Sequence, residues 1–207
     1  LLEAKILRDS PARSVKRLSE NERQFYVLTD DEEKLYIMAC PQPLQDVAII
    51  MLETGMRCGE VYRIRRSEVF LNKGYLKVTK GKTKAAIRQV HLTKKAQSVL
   101  SYRLNKFKGE NLFPRKDIDG ELPTSTLDKL HICAIEKLFF KFRLYDCRHT
   151  FATRAVENGV DLVTLASILG HASLRMVIRY AHPSETHKAD AIKQMEMARI
   201  NKKAKAV

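Results

Sequence analysis

The sequence predicts a mainly α-helical chain with one small antiparallel β-sheet. Apolar residues recur at helical spacing over most of the chain, for example in 44–54 and in 162–169. Capping residues bound such segments, since Asp161 precedes 162–169 and Gly170 follows it. In 75–92 the apolar spacing changes, and two short runs flank a basic turn. These features predict an α+β fold in which helices dominate.

Further elements are predicted from the same kinds of signal. Thr29 and the acidic residues 30–32 mark the start of a helix, and Pro41 and Pro43 mark its end. Residues 57–64 open another helix. Further helices are predicted at about 93–105, 127–138 and 148–158, and a short helix capped by Ser173 is predicted to reach Tyr180. A basic helical tail is predicted at about 185–199. The predicted strands cover 75–79 and 86–92, and 111–123 is predicted to be a loop.

The charge balance indicates a polyanionic partner. The chain has 38 Lys and Arg against 24 Asp and Glu, a net charge of +14. Basic side chains that neutralise phosphates release condensed counterions, which favours binding to nucleic acid. A basic surface without a partner is the alternative that charge alone leaves open.

The cysteines and the hydropathy pattern exclude several classes of protein. Cys40, Cys58, Cys133 and Cys147 are far apart and form no C-x-x-C pair, which argues against a zinc site and a disulfide framework. The longest purely apolar run, 47–52, is too short to span a bilayer. No basic and then apolar leader opens the sequence. We therefore expect a soluble intracellular protein that does not contact a membrane.

Four short boxes carry residue types that act on phosphodiesters. Residues 54–60 read TGMRCGE, and residues 81–84 read GKTK in the predicted basic turn. Residues 145–154 read YDCRHTFATR, and residues 168–171 read ILGH, ending nine residues before Tyr180. In this order and spacing, the boxes resemble those of the tyrosine site-specific recombinases of the phage-integrase type.

The resemblance covers about residues 27–185 and implies a fold, a reaction and partners. It implies the tyrosine recombinase catalytic-domain fold and an enzyme that cuts and rejoins DNA through a covalent 3′-phosphotyrosyl bond, with no metal and no cofactor. Double-stranded DNA is the implied partner, bound by a homotetramer that assembles through the C-terminal tail, in the cytoplasm. Residues 1–27 would be a linker or the end of an N-terminal core-binding domain, 28–186 the catalytic domain, and 187–207 a basic helical tail.

The resemblance and the chemistry of phosphate together assign the central roles. Attack on a phosphodiester builds negative charge on its non-bridging oxygens, and the planar fork of arginine matches those oxygens. Arg57 and Arg148 are therefore expected to clamp the scissile phosphate, and Tyr180 is the expected nucleophile. A phenol with a pKa near 10 is neutral at pH 7, so neighbouring cations or a base must assist it.

Other residues are expected to assist. Lys82 would protonate the leaving 5′-oxygen, with Lys80 and Lys84 as rivals in the same turn. His171 would donate a hydrogen bond to the phosphate. Glu60, one helical turn beyond the first box arginine, would orient an arginine by a charge-assisted bond.

One position departs from the family pattern. Tyr145 stands where the family usually has histidine, and a neutral phenol donates a hydrogen bond but accepts protons poorly. The general-base role of that histidine is therefore in doubt here. His149 and His182 flank the site in sequence, but neither occupies the matching position, and we assign the role to neither.

Two other function classes remain open at this point. A type IB topoisomerase shares the phosphotyrosine chemistry and relaxes DNA as a monomer. A helix-turn-helix regulator would bind DNA without cutting it, and residues 149–170 fit two helices joined by a glycine turn. A covalent DNA adduct separates the regulator from both enzymes.

Overall fold

A computed structural model of the chain describes residues 25–81, 83–115, 120–181, 192–193 and 195–197. The predicted fold class is confirmed, because helices dominate and one small antiparallel sheet accompanies them. The α-helices are α1 (Asp30–Ala39), α2 (Leu44–Thr54), α3 (Cys58–Val61), α4 (Lys94–Lys106), α5 (Thr124–Ile135), α6 (Asp146–Glu157) and α7 (Leu162–Leu169); the strands are β1 (Val69–Phe70), β2 (Tyr75–Val78) and β3 (Arg88–His91); short 3₁₀ turns lie at Arg66–Glu68, Leu71–Lys73, Lys84–Ala86, Leu174–Met176 and Ile178–Tyr180.

Helix α2 lies at the centre of the fold. It begins and ends where the sequence predicts, and it packs against α1, α3, α4, α5 and α6. Val47, Ile50 and Met51 are completely buried in the main core. The chain leaves this helix through Gly55, whose φ of 66° gives the left-handed cap that the sequence predicts. The buried helix therefore fixes the position of the 54–60 box.

The sheet has the order β1-β2-β3, and all its strands are antiparallel. Leu76 of β2 pairs with Val90 of β3, and both side chains are buried against the main core. The two predicted strands are thus confirmed, although each is shorter than predicted. Strand β1 was not predicted, because two residues are too few to show the alternation of a strand.

A second, smaller apolar cluster lies between α6, α7 and the 3₁₀ turns that follow. Ala152, Leu165, Leu169 and Val177 are buried in it, together with Tyr180. Asp161 caps α7 as predicted, because its carboxylate accepts the backbone N–H groups of the first turn. The candidate nucleophile is therefore a packed member of this cluster.

Two helices begin earlier than the sequence indicates. Helix α6 starts at Asp146 and not at Arg148. Within 143–148, backbone N–H groups already donate to carbonyl oxygens three residues earlier, so the chain is coiled before Arg148. Helix α5 starts at Thr124, directly after Pro123, which fits a helix N-terminus. It ends at Ile135 and not at the predicted residue 138, because the residues after Ile135 form hydrogen-bonded turns and not a further helical turn.

The C-terminal tail is described only in part. Residues 192–193 and 195–197 are helical, and the rest of the predicted tail helix lies outside the described residues. Across the described ranges, no single helix is both long and apolar enough to cross a membrane. The pair Leu162–Leu169 and Leu174–Tyr180 reaches that length and composition only when taken together, with a bend of 91° between the two parts.

Candidate active site

The guanidinium of Arg148 is completely buried and joins two helix ends. Its Nη1 donates to the carbonyl oxygen of Gly55, and its Nη2 donates to that of Leu169, each at 2.8 Å. Carbonyl groups at a helix C-terminus lack partners within their own helix. One arginine of α6 therefore satisfies the ends of both α2 and α7, and the fold holds it rigidly.

The glycines of these two turns permit a close approach. Gly55 and Gly170 both have positive φ, at 66° and 69°. A Cβ atom on Gly55 would lie 2.4 Å from a ring carbon of Phe151, and one on Gly170 would lie 2.9 Å from Nη1 of Arg88. Both the backbone conformation and the packing therefore require glycine here.

His171 completes the surroundings of Arg148. Its Nε2 accepts a hydrogen bond of 2.8 Å from Nη2 of Arg148, so the proton of the neutral ring lies on Nδ1. Burial, followed by repulsion from Arg148 and Arg57, lowers the pKa of His171 to about 4, which keeps the ring neutral. Nδ1 of His171 and Nε of Arg148 are buried and have no hydrogen-bond partner among the residues that the structure describes.

None of the ion pairs in the described ranges involves the buried guanidinium of Arg148. Burial lowers its pKa to about 10, so it remains charged at pH 7. A buried cation with one unpaired donor of its own, next to a histidine with another, fits an anion with several oxygen acceptors, such as a phosphate.

Glu60 holds two further arginines. Its carboxylate accepts from Nη1 of Arg57 at 2.9 Å, and from Nη1 and Nη2 of Arg88 at 3.2 and 3.0 Å. Burial alone would raise the pKa of Glu60, but the bonds from Arg88 and Arg57 outweigh burial and hold the pKa below its usual value. Arg88 also donates to the carbonyl oxygen of Ile168 at 2.7 Å, which ties β3 to the turn that carries His171.

A cavity of about 810 Å³ opens beside this ion cluster. Arg57, Glu60, Lys80 and Tyr145 line it. Its other charged lining residues are Arg63, Arg65, Lys77, Glu68 and Glu121. Basic residues outnumber acidic ones, which favours an anionic occupant. The predicted proton donor Lys82 lies outside the described residues.

Tyr180 lies apart from the cavity. Its side chain is buried in the second cluster, and its hydroxyl oxygen lies 2.6 Å from Nδ1 of His149. Burial raises the pKa of Tyr180 to about 12. The ring of Phe25 stacks on His149 and also contacts Tyr180, with centroid distances of 4.7 and 5.4 Å. The predicted nucleophile is thus a neutral phenol paired with a histidine.

Comparison with known proteins decides the family. The sequence model of the phage integrase family matches residues 26–187. The chain belongs to this family. This phage integrase chain is 31% identical to the integrase of Escherichia phage P2 over 198 residues. The alignment covers 93% of this chain and 53% of the phage P2 protein. The chain therefore spans about half the length of the curated integrases that it matches.

Solved structures show the same fold. The catalytic domain of bacteriophage HP1 integrase is similar with a TM-score of 0.62 and 24% identity, over 82% of this chain and 95% of that one. The Tn1549 transposon integrase, solved in complex with a circular intermediate DNA, gives a TM-score of 0.76 at 16% identity, over 93% of this integrase chain and 74% of that one.

The structure brings some of the predicted site residues together and separates others. Arg57, Glu60 and Tyr145 line the large cavity, whereas His171 lines a second cavity of about 440 Å³. Tyr180 lines neither cavity. Arg148 lines neither cavity, but it contacts His171 directly and is close enough for its charge to lower the pKa of Tyr180, against the larger effect of burial.

Sequence reasoning missed three residues of this integrase site. Arg88 looked like one more basic residue of the hairpin, and a lone phenylalanine such as Phe25 carries no signal for a contact far along the chain. His149 stands inside the 145–154 box but not at the position to which the family pattern assigns the role, and the sequence shows no sign of its contact with Tyr180, which has a length of 2.6 Å.

Proposed function

We propose that this chain is the catalytic part of a site-specific recombinase that cleaves and rejoins double-stranded DNA through a 3′-phosphotyrosyl bond to Tyr180. The observation that carries the proposal is the pair formed by Arg148 and His171. Arg148 is a buried cation without an ion-pair partner among the described residues, and it is hydrogen-bonded to His171; its own Nε and Nδ1 of His171 are both buried without hydrogen-bond partners. The scissile phosphate would supply the missing acceptors.

The assignments at the site follow from this position of the phosphate. Arg57, held by Glu60 at the edge of the cavity, would pair with the same phosphate from the solvent side. Tyr180 would attack the phosphorus, and Lys82 would protonate the 5′-oxygen that leaves. The bond energy is conserved in the phosphotyrosine, so rejoining needs no further energy source.

The relatives support this reading over the alternatives. Curated proteins that match the chain include the integrase of a phage, a tyrosine recombinase and a transposase of a transposon. These names favour neither the topoisomerase nor the regulator. Solved relatives in complex with DNA favour DNA as the partner. The same proposal includes a tetramer that is held together by the C-terminal tail and that acts in the cytoplasm. It also includes the division of the chain into a linker or domain end at 1–27, a catalytic domain at 28–186 and a basic tail at 187–207.

A covalent adduct tests the proposal. The protein is incubated with a nicked duplex that carries its recombination site, and the products are separated on a denaturing gel. We expect a protein–DNA adduct from the unmodified protein and none from Tyr180→Phe, which should still bind the duplex. Tyr102→Phe, at an exposed position on α4, is the matched control and should form the adduct. An adduct that survives Tyr180→Phe would refute the assignment.

A further inference from the structure

The hydroxyl of Tyr180 has a single hydrogen-bond partner in the described part of the chain, and that partner is His149. The distance between Oη and Nδ1 is 2.6 Å, and both side chains are buried. A contact of this length between two neutral groups is short for a hydrogen bond. The phenol is therefore in direct contact with one group that can take up its proton.

The surroundings of His149 keep its ring neutral. Burial is the main reason that its pKa falls to about 4, and in the tautomer with its proton on Nε2 the ring accepts the phenolic hydrogen through Nδ1. Because the low pKa makes the ring a weak base, proton transfer requires the negative charge of a bound phosphate and of the developing phenolate, which both favour the protonated ring. The groups that face it are Arg143, Tyr145, Asp146 and Arg148 from its own helix or the turn before it, Arg179 and Tyr180 from the last 3₁₀ turn, and Phe25 from the N-terminal side. Asp146 favours the protonated ring, and the arginines oppose it.

The ring is also held in one orientation. Phe25 stacks on one side of it at an interplanar angle of 18°, and Tyr145 meets it edge-on at 72°. Aromatic packing of this kind limits rotation of the imidazole. A nucleophile, a base in contact with it and a third group that orients the base form the arrangement by which enzymes activate weak nucleophiles.

We infer that His149 is the proton acceptor for Tyr180 in the cleavage step, a role that rests on the proposed function. As the bond between Oη of Tyr180 and phosphorus forms, the phenolic proton passes to Nδ1 of His149. The bond between phosphorus and the 5′-oxygen breaks, and that oxygen takes a proton from a separate acid, for which Lys82 is proposed. His149 returns its proton when the strands rejoin.

The geometry also explains how the chain can act with tyrosine at position 145. Tyr145 is exposed and lines the cavity, but its neutral phenol is a poor proton acceptor. His149 lies one helical turn further along α6, in contact with both Tyr145 and Tyr180. The acceptor is thus displaced along the helix and not lost.

His149→Asn tests the inference, because asparagine offers an acceptor oxygen near the position of Nδ1 but cannot take up a proton. Single-turnover cleavage of a nicked suicide duplex is measured over a range of pH. We expect cleavage by the variant to be slower by about 100-fold, with DNA binding retained. The rate of the unmodified protein should fall as the pH decreases and His149 becomes protonated. The variant should lose the contribution of His149 to this fall and keep that of His171, whose pKa is also lowered to about 4.

A substrate with sulfur in place of the scissile 5′-oxygen shows whether His149 acts as a base on Tyr180 or as an acid on the leaving group. A thiolate leaves without a proton, since thiols are far more acidic than alcohols. This substrate should restore cleavage by Lys82→Ala but leave His149→Asn slow. His149→Gln repeats the test if the asparagine variant melts at a lower temperature, and His91→Asn, exposed on β3, is the control.

Each other outcome overturns the inference. Faster cleavage by His149→Asn would mean that His149 only restrains Tyr180, and an unchanged rate would mean that it has no role in the step. A slow variant with the pH dependence of the unmodified protein would show a structural role, and rescue by sulfur would show action on the leaving group. Failure of the proposed function is distinct, because then the unmodified protein itself would form no adduct.

Discussion

Arg148 donates a hydrogen bond of 2.8 Å to His171, and through it the first turn of α6 is joined to the turn that ends α7. The same guanidinium binds the carbonyl oxygens of Gly55 and Leu169. A residue expected to act on the substrate is therefore also a structural link between three parts of the fold. Stability and activity should change together when it is altered.

We expect Arg148→Lys to lower the free energy of unfolding by about 3 kcal/mol, because a single ammonium cannot reach all three acceptors and leaves buried carbonyl groups without partners. Cleavage should fall by about 100-fold or more. Urea unfolding and single-turnover cleavage measure the two effects. Arg175→Lys, at an exposed position, should stay within about 0.5 kcal/mol. Equal stability of both variants would contradict the structural role of Arg148.

Gly55 and Gly159 allow the stability cost of a steric clash to be measured separately from the cost of backbone strain. Both have positive φ, at 66° and 83°, but a Cβ atom on Gly159 would meet nothing within 4 Å. Gly159→Ala should therefore cost about 1 kcal/mol of stability from strain alone. Gly55→Ala should cost about 3 kcal/mol, since it adds a clash with Phe151 and Leu169. Urea unfolding decides this, and similar losses for the two variants would be inconsistent with the packing described.

The stability of the protein should decrease as the pH falls from about 6.5 to about 4. Burial lowers the pKa of His149 and of His171 to about 4, and lowers that of His131 as well. In the unfolded chain a histidine has a pKa near 6.5. Between these values the unfolded chain binds more protons than the folded one, so acid favours unfolding.

His149→Asn should make this dependence shallower, because one of the three histidines no longer takes up a proton on unfolding. Urea unfolding at intervals between about pH 7 and pH 4.5 measures the slope. His91→Asn serves as the control, since His91 is exposed. An identical slope for the unmodified protein and for His149→Asn would mean that His149 is not held neutral in the folded state.

Tyr145 should tune the reaction and not be essential to it. Arg57, Arg148 and His171 already offer donors to the phosphate, so the phenol adds at most one more. Tyr145→Phe should slow cleavage about tenfold or less, which corresponds to about 1.4 kcal/mol. Tyr145→His should retain or raise activity, most clearly above the pKa of the new imidazole. A Tyr145→Phe variant as inactive as Tyr180→Phe would reverse this ranking.

Elements with local signals were predicted well from the sequence. Helix α7 has a capping Asp161 at its start and Gly170 at its end, and its bounds are confirmed to the residue. The motif spacing likewise placed Arg57 and Glu60 near each other, because three residues along a helix start bring them to the same side. Both cases depend on interactions between residues close in sequence.

The relationships that shape the candidate site span long stretches of chain. Arg88 meets Glu60 across 28 positions, and His149 meets Tyr180 across 31, so no periodic pattern marks either contact. The burial of Tyr180 was equally hidden, because it depends on the packing of α6 against α7 and not on the residues beside the tyrosine. The motif predicted which residues matter but not which of them touch.

The burial of Tyr180 restricts where the reaction can take place. Moving the side chain from the second cluster into water would cost about 2 kcal/mol, which makes an exposed form roughly thirtyfold rarer than the packed one. Exposure would also break the hydrogen bond between Tyr180 and His149. The packed form is therefore the one in which the phenol can lose its proton to the histidine, and the DNA has to bring its phosphodiester to Oη at that position.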